Sequence, residues 1–201
     1  MMFAPRPVPR PVPRIALFAR YPTPGLAKTR LIPALGEVGA AALHRKLVEL
    51  TLAAVRASGL PFELRVTGAS SDAFAGWLGD SLPLVPQGEG DLGERLARVP
   101  APVLLIGSDC PDLTPWHLID AATALATAPA VLGPAADGGY WLLGLARALP
   151  QCFEAMPWGT AAIAAETRVR LAGQGVTPVE LATLHDCDRP EDLARWPWLT
   201  A

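Results

Sequence analysis

Short apolar runs alternate along this chain with longer segments whose apolar residues recur at helical spacing. Residues 15–19 and 103–106 are continuous apolar runs, as expected for strands buried inside a sheet. Further strands are predicted at residues 62–67, 82–85, 130–132, 140–145 and 176–181. Helices are predicted at residues 37–57, from Ser70 or Ser71, from Pro115, near 161–172 and, as a short one, from Pro190.

This alternation of strands and helices predicts an α/β fold with a mainly parallel central sheet covered on both faces. In such sheets, ligands bind beyond the carboxyl ends of the strands. The polar loops of this sequence fall at those ends, so we expect the functional residues there.

Composition indicates one domain with an extension before it. The 201 residues are enough for one core, and we assign it to residues 14–201. Residues 1–13 are rich in proline and arginine, which favours an extended, disordered tail.

Charge and cysteine content narrow the class of protein. The net charge of −2 gives no reason to expect a nucleic-acid partner. No apolar stretch approaches the ~20 residues of a membrane span. Three cysteines without a paired spacing favour a reducing compartment, so we expect a cytoplasmic protein.

The loop after the first predicted strand is rich in cations. Arg20, Lys28 and Arg30 lie within eleven residues of one another, and Gly25 gives the loop backbone freedom. A flexible loop with several cations can neutralise a diphosphate or triphosphate. The alternative is a solvated basic loop whose prolines only form a turn.

Two aspartates are candidate ligands of a divalent metal ion. Asp109 directly follows the strand predicted at residues 103–106, and Asp188 lies in a polar segment near the C-terminus. Magnesium binds one or two protein carboxylates together with substrate phosphates. The structural alternative for Asp188 is a capping box with Glu191, three residues later.

Two glycine-rich segments are candidate contacts for the rest of a ligand. Residues 87–95 carry Gln87, Asp91 and Arg95 among three glycines, a pattern that suits close approach to a base or ribose. Their structural alternative is a loop leading into a helix capped by Asp91. Residues 133–141 combine a carboxylate, glycines and aromatic rings, as would suit a hydroxyl-rich acceptor, or alternatively a hairpin turn.

Thiol chemistry is a further alternative with less support. His185, Cys187 and Cys110 have no zinc-ligand spacing, because no Cys-x-x-Cys pair is present. Cys110 also lacks a visible histidine that would activate it as a nucleophile.

Five segments together resemble one family. In chain order they are FARYPTPGLAKTRL, QGEGDLGERL, LLIGSDCPDLT, GPAADGGYWLLGL and DCDRPEDL. The chain resembles the bacterial DUF2064 proteins, which are glycosyltransferase-A-like transferases related to phospholactate guanylyltransferase. The resemblance covers approximately residues 15–196.

The resemblance implies a GT-A fold, the Rossmann-like αβα sandwich of the nucleotide-diphospho-sugar transferases, and a Mg²⁺ or Mn²⁺ cofactor. It implies a nucleotide sugar or a nucleoside triphosphate as donor and a small molecule as acceptor. The residues implied to bind nucleotide and phosphate are Arg20, Gly25, Lys28, Arg30, Gln87, Asp91 and Arg95. Those implied to bind metal are Asp109 and Asp188, with Lys28 and Asp109 catalytic. Those implied to face the acceptor or transferred group are Asp137, Gly138, Gly139 and Trp158.

Three functions stay open at this stage. One is glycosyl transfer from a nucleotide-diphospho-sugar, and another is nucleotidyl transfer from a nucleoside triphosphate with release of pyrophosphate. The third is a nucleotide-binding accessory protein without chemistry. The sequence leaves the acceptor, the base preference and the oligomeric state open.

Overall fold

A computed structural model describes residues 11–200 of the chain. Most of the predicted tail, residues 1–10, therefore lies outside the described residues. The strands in these residues are β1 (Arg14–Arg20), β2 (Phe62–Thr67), β3 (Leu84–Pro86), β4 (Val103–Ile106), β5 (Ala130–Pro134), β6 (Tyr140–Leu145) and β7 (Val179–Glu180). The helices are α1 (Ile32–Ala57), α2 (Ser71–Leu78), α3 (Leu92–Ala97), α4 (Pro115–Thr127) and α5 (Ile163–Gly173). Short 3-10 turns cover Thr29–Leu31, Pro150–Cys152, Pro190–Arg195 and Pro197–Leu199.

The strands form one sheet in the order β3-β2-β1-β4-β6-β5-β7. All neighbouring pairs are parallel except the two made by β6, which runs antiparallel to β4 and β5. The predicted mainly parallel sheet is thus confirmed. β1 has neighbours on both sides that come later in the chain, so the strand order reverses there. Such a switch point opens a crevice at the carboxyl ends of the strands.

Successive residues of β1 point to opposite faces of the sheet, and both faces are covered. Ile15 and Leu17 pack in a core cluster with residues of α1, α2 and α4. Ala16 packs in a second cluster with residues of α3 and α5. The result is the predicted αβα sandwich.

The backbone explains two differences from the predicted elements. α1 is interrupted at Gly36, whose φ of 69° is non-helical, so its regular part begins where residues 37–57 were predicted. The strand predicted at residues 176–181 is reduced to β7. Gly175 ends α5 with a positive φ, and the Val176 N–H donates to the carbonyl of Leu171, so Val176 completes the helix end.

The C-terminal segment packs on the outer side of α1. Trp196 and Leu199 are buried there against Leu43 and Leu47, in a third cluster. Lys46 of α1 donates to the backbone carbonyl of Trp198 over 2.7 Å. This packing fixes the segment that carries Asp188 beside the loop after β1. Within residues 11–200, no helix is long and apolar enough to cross a membrane.

Candidate functional site

A crevice of about 710 Å³ opens at the carboxyl ends of β1 and β4, where the strand order reverses. We call it the central crevice. The predicted residues that line it are Arg20, Lys28, Arg30, Gln87, Asp91, Arg95, Asp109 and Asp188. The fold therefore brings together residues separated by up to 168 positions in the chain.

Lys28 lies at the centre of this arrangement. Its Nζ atom is 2.7 Å from Oδ1 of Asp109 and 3.4 Å from Oδ1 of Asp188. It also donates to the backbone carbonyl of Cys187 over 2.7 Å. The backbone of Lys28 is left-handed (φ 48°, ψ 45°), a conformation that is rare outside glycine and is often found at functional sites.

Charge pairing keeps both partners ionised. Burial lowers the pKa of Lys28, whose side chain is only 4% exposed, but Asp109 and Asp188 raise it by more. Burial likewise raises the pKa of Asp109, and the Lys28 ammonium lowers it by more. The Asp109 side chain is 47% exposed, so burial has a limited effect on its pKa. The contact with Lys28 is therefore the main influence on that pKa. At neutral pH the Lys28 ammonium and the Asp109 carboxylate are therefore both charged.

Asp188 faces the crevice and does not cap the segment that follows it. Its Oδ2 accepts from Nη1 of Arg30 over 2.7 Å. The predicted capping box of Asp188 with Glu191 is wrong, because the Asp192 carboxylate accepts from the backbone N–H groups of Asp188 and Arg189. The Asp188 carboxylate is consequently available to cations.

The donor groups fit a divalent ion in type and charge. Asp109 and Asp188 supply carboxylate oxygens and Cys187 a carbonyl oxygen, which are suitable ligands for Mg²⁺. Both oxygens of Asp188 are already engaged by Lys28 and Arg30, whereas Oδ2 of Asp109 has no hydrogen-bond partner among the described residues. Within residues 11–200, no three His, Cys, Asp or Glu side chains are grouped to hold a metal alone. An ion here would need phosphate oxygens as additional ligands and another anion for Lys28.

Gln87 is buried, and its side-chain amide forms hydrogen bonds with three neighbouring residues. Its Nε2 donates to the carbonyls of Ala19 and Arg65, at 3.3 and 2.8 Å, and its Oε1 accepts from Arg95 at 3.3 Å. The amide thereby ties β1, β2 and Arg95 together. A direct contact of Gln87 with a nucleotide stays a prediction, and its visible role is to hold Arg95 at the crevice wall.

Asp91 caps the N-terminus of α3, as the structural alternative for its segment predicted. Its carboxylate accepts from the N–H of Glu94, and the Glu94 carboxylate accepts from the N–H of Asp91, which forms a capping box for α3. Asp91 still lines the crevice. Gly25 does not line it; its φ of 77° makes the turn before Leu26 and Ala27, which do.

A second cavity of about 240 Å³ adjoins the central crevice, and both are lined by Arg30 and Asp109. We call it the aromatic cavity, because its wall includes Phe18, Tyr140, Trp141 and Trp158. Asp137 and Gly139, which the sequence predicts at an acceptor site, also line it.

The hairpin between β5 and β6 shapes this cavity. Oδ1 of Asp137 accepts from the N–H of Gly139 over 2.8 Å, as in the predicted turn. Gly138 lies behind the wall, with a φ of 92°, and a Cβ there would collide with the carbonyl of Ala161. Gly138 is therefore required by the packing of this turn and does not itself line the cavity.

Sequence reasoning missed two residues of the site. His44, on the inner face of α1, lines the central crevice and is hydrogen-bonded through Nε2 to the carbonyl of Arg20 over 2.9 Å. Burial lowers its pKa, so the ring is neutral at pH 7. A histidine on an otherwise apolar helix face was the available signal. Asp186, two residues before Asp188, lines the aromatic cavity.

Cys110 is unsuited to nucleophilic attack. Its buried Sγ donates to Oδ1 of Asp186 over 2.8 Å. Burial raises the pKa of the thiol, and Asp186 raises it further, so the thiolate is scarce at neutral pH. Burial also raises the pKa of Asp186, to about 6.

The fold, with the central crevice and the aromatic cavity at one edge of its sheet, places the protein in a structural class. A protein of Desulfovibrio desulfuricans G20, provisionally described as a nucleotide-diphospho-sugar transferase, is similar over 88% of this chain and 82% of its own, with 29% identity and a TM-score of 0.80. The fold of the present chain is that of the nucleotide-diphospho-sugar transferases.

More distant structures share the same fold. 4-Diphosphocytidyl-2C-methyl-D-erythritol synthase is 13% identical, with a TM-score of 0.58, over 94% of this chain and 98% of its own. CMP:2-keto-3-deoxy-manno-octonic acid synthetase, complexed with CTP, is 15% identical, with a TM-score of 0.53, over 93% and 98%.

The family follows from the sequence match. The model of the family described as "Uncharacterized protein conserved in bacteria (DUF2064)" matches residues 50–160, more than half of the chain. The protein belongs to this family, as the resemblance implied. No curated protein matches the chain significantly.

Proposed function

We propose that this protein is a metal-dependent transferase that binds a nucleotide-diphospho-sugar in the central crevice and transfers its glycosyl group to a small acceptor. The observation that carries the proposal is the contact of Lys28 with Asp109 and Asp188, made by three distant segments at the sheet switch point. The aromatic cavity adjoins this contact and would hold the acceptor.

Charge neutralisation is the chemical basis of the proposal. A leaving diphosphate gains negative charge as its bond to the transferred group breaks. Cationic side chains that line the crevice would stabilise that charge, namely Arg20, Lys28, Arg30 and Arg95.

Asp109 and Asp188 would hold the divalent ion, Mg²⁺ or Mn²⁺, which supplies Lewis-acid stabilisation of the diphosphate when it is bound. The carboxylates of this chain would orient the ion towards the phosphates. Lys28 would leave the carboxylates and pair with a phosphate oxygen, so the charge of the site stays balanced.

Nucleotidyl transfer from a nucleoside triphosphate is the second candidate. The observation that favours it is the cation-rich loop after β1, which places Arg20, Lys28 and Arg30 in one crevice. Three phosphates carry more charge than two and would use all three cations. Pyrophosphate would then be the leaving group.

A ligand screen followed by product analysis tests the proposal. Sugar nucleotides and nucleoside triphosphates are each added with Mg²⁺ or Mn²⁺, and the melting temperature is measured. A ligand at 100 times its Kd stabilises the native state by about 2.7 kcal/mol, roughly 5–10 °C for a domain of this size. Lys28→Ala should weaken this shift, while Arg56→Ala, which removes an exposed cation of α1 away from the crevice, should preserve it.

The released product then separates the candidates. Free nucleoside diphosphate from a sugar nucleotide supports glycosyl transfer, and pyrophosphate from a triphosphate supports nucleotidyl transfer. Tight binding without turnover would favour the accessory protein. No binding of either ligand class, with or without metal, would contradict the proposal. We further propose a cytoplasmic location for the protein, with the transferase domain at residues 14–201.

A further inference from the structure

The aromatic cavity is lined mainly by negative charges, whereas the central crevice is rich in cations. Among residues 11–200, three carboxylates line the aromatic cavity, from Asp109, Asp137 and Asp186, and one cation, Arg30. Asp109 is paired with Lys28, and Arg30 is paired with Asp188. Asp137 and Asp186 form no ion pair with any described residue, so the cavity retains uncompensated negative charge.

Each of these two carboxylates has one oxygen engaged and one without a partner. Oδ1 of Asp137 accepts from the Gly139 N–H, and Oδ1 of Asp186 accepts from Cys110. Neither Oδ2 has a hydrogen-bond partner among residues 11–200. The fold thus fixes both carboxylates through one oxygen and leaves the other for a ligand.

The remaining wall is apolar and aromatic. Trp141 is 5% exposed and is held by its indole N–H, which donates to the carbonyl of Ala182 over 3.0 Å. The Trp158 indole N–H is buried and has no partner among the described residues. Aromatic side chains beside carboxylates suit an organic cation, because the carboxylates attract its charge and the rings pack against its apolar portion.

We propose that the aromatic cavity binds an acceptor carrying a positively charged amino group next to an apolar or ring portion. This inference rests on the proposed function, since it names the chemical class of the acceptor. The volume of about 240 Å³ equals that of about eight water molecules, so the acceptor is small. An anionic acceptor is disfavoured, because it would meet two carboxylates that have no ion-pair partner among residues 11–200, while Arg30 is already paired with Asp188.

Three probes of nearly equal shape test the charge preference: phenethylamine, 2-phenylethanol and 3-phenylpropionate. Binding to the full chain is measured by titration calorimetry at pH 8 without nucleotide. We expect the amine to bind at least about tenfold more tightly than the other two, the effect of one charge-assisted contact.

Replacing each aspartate by asparagine tests which carboxylate causes the preference for the amine. Asp137→Asn and Asp186→Asn keep the carbonyl oxygen that accepts from Gly139 or Cys110 and remove only the charge, so both should fold, as a melting curve would verify. Each should abolish most of the preference for the amine. Asp120→Asn, which removes an exposed charge from α4, should leave it unchanged.

Three outcomes would overturn the inference. They are equal or tighter binding of the carboxylate or the alcohol, an amine preference that survives in the double Asn variant, and displacement of the amine by Mn²⁺ at a site abolished by Asp137→Asn. The last would assign these carboxylates to a metal. Nucleotide binding in the ligand screen would still support the proposed transferase in all three cases, so the two failures are distinguishable.

Discussion

Replacing Lys28 by methionine tests whether the central ion cluster stabilises the fold. Methionine keeps an unbranched chain of similar length and removes the ammonium that contacts Asp109, Asp188 and the Cys187 carbonyl. Breaking a fully buried ion pair costs about 3–5 kcal/mol. The cost here is smaller, because the two carboxylates are 47% and 33% exposed and Asp188 keeps Arg30 as a partner.

We therefore expect the variant to lose about 1–3 kcal/mol of unfolding free energy at pH 7. For a domain of this size, that corresponds to a fall of roughly 3–10 °C in melting temperature. Denaturant titration and calorimetry would measure both values. Equal stability of the variant and the wild type at pH 7 would refute the reasoning.

The pH dependence of the stability difference between the wild type and Lys28→Met tests whether that difference is electrostatic. The pKa of Asp109 is lowered in the fold, so its contribution is present above its ordinary value of 3.8 and is lost as pH falls through the folded pKa. The pKa of Lys28 is raised, so its contribution is present below 10.5 and is lost as pH rises through the folded pKa. The stability difference should be constant near neutrality and shrink as pH falls through the folded pKa of Asp109. A difference that grows as the pH is lowered would contradict an electrostatic origin.

Four further outcomes are expected. Lys28→Met should bind Mn²⁺ more tightly than the wild type without nucleotide, because the competing ammonium is absent; equal affinity would argue against competition. Asp109→Ala should abolish turnover while far-ultraviolet circular dichroism stays native; retained activity would count against its metal role. Gln87→Ala should raise the donor KM several-fold by releasing Arg95, and an unchanged KM would remove this positioning role. Gly138→Ala should destabilise by more than about 2 kcal/mol in denaturant titration, and Gly175→Ala, which meets no atom, by about 1.

The apolar pattern predicts most of the strands because continuous runs such as Val103–Ile106 are buried on both faces of the sheet. It fails where the backbone ends an element for local reasons. The apolar residue Val176 belongs to the end of α5 and not to β7, and hydrophobicity alone does not distinguish the two. The antiparallel direction of β6 is also absent from the pattern, since a buried strand has the same composition in either direction.

The candidate site was likewise predictable from the sequence only in part. Arg20, Lys28 and Arg30 stand close together in sequence, and the position of Asp109 after a buried strand predicts that it faces a crevice. The pairing of Asp109 and Asp188 with one ammonium requires the C-terminal segment to return to the loop after β1. That return depends on packing against α1, which involves residues more than 140 positions apart.

The sequence by itself determined the α/β class, the family and the polar loops at the strand ends, because local periodicity and ordered motifs are properties of the chain. Only the tertiary structure decided which charges compensate one another. It paired Lys28 with two carboxylates and left Asp137 and Asp186 without an ion-pair partner among the described residues, since charge pairing depends on distances of a few ångströms between segments that the sequence keeps far apart.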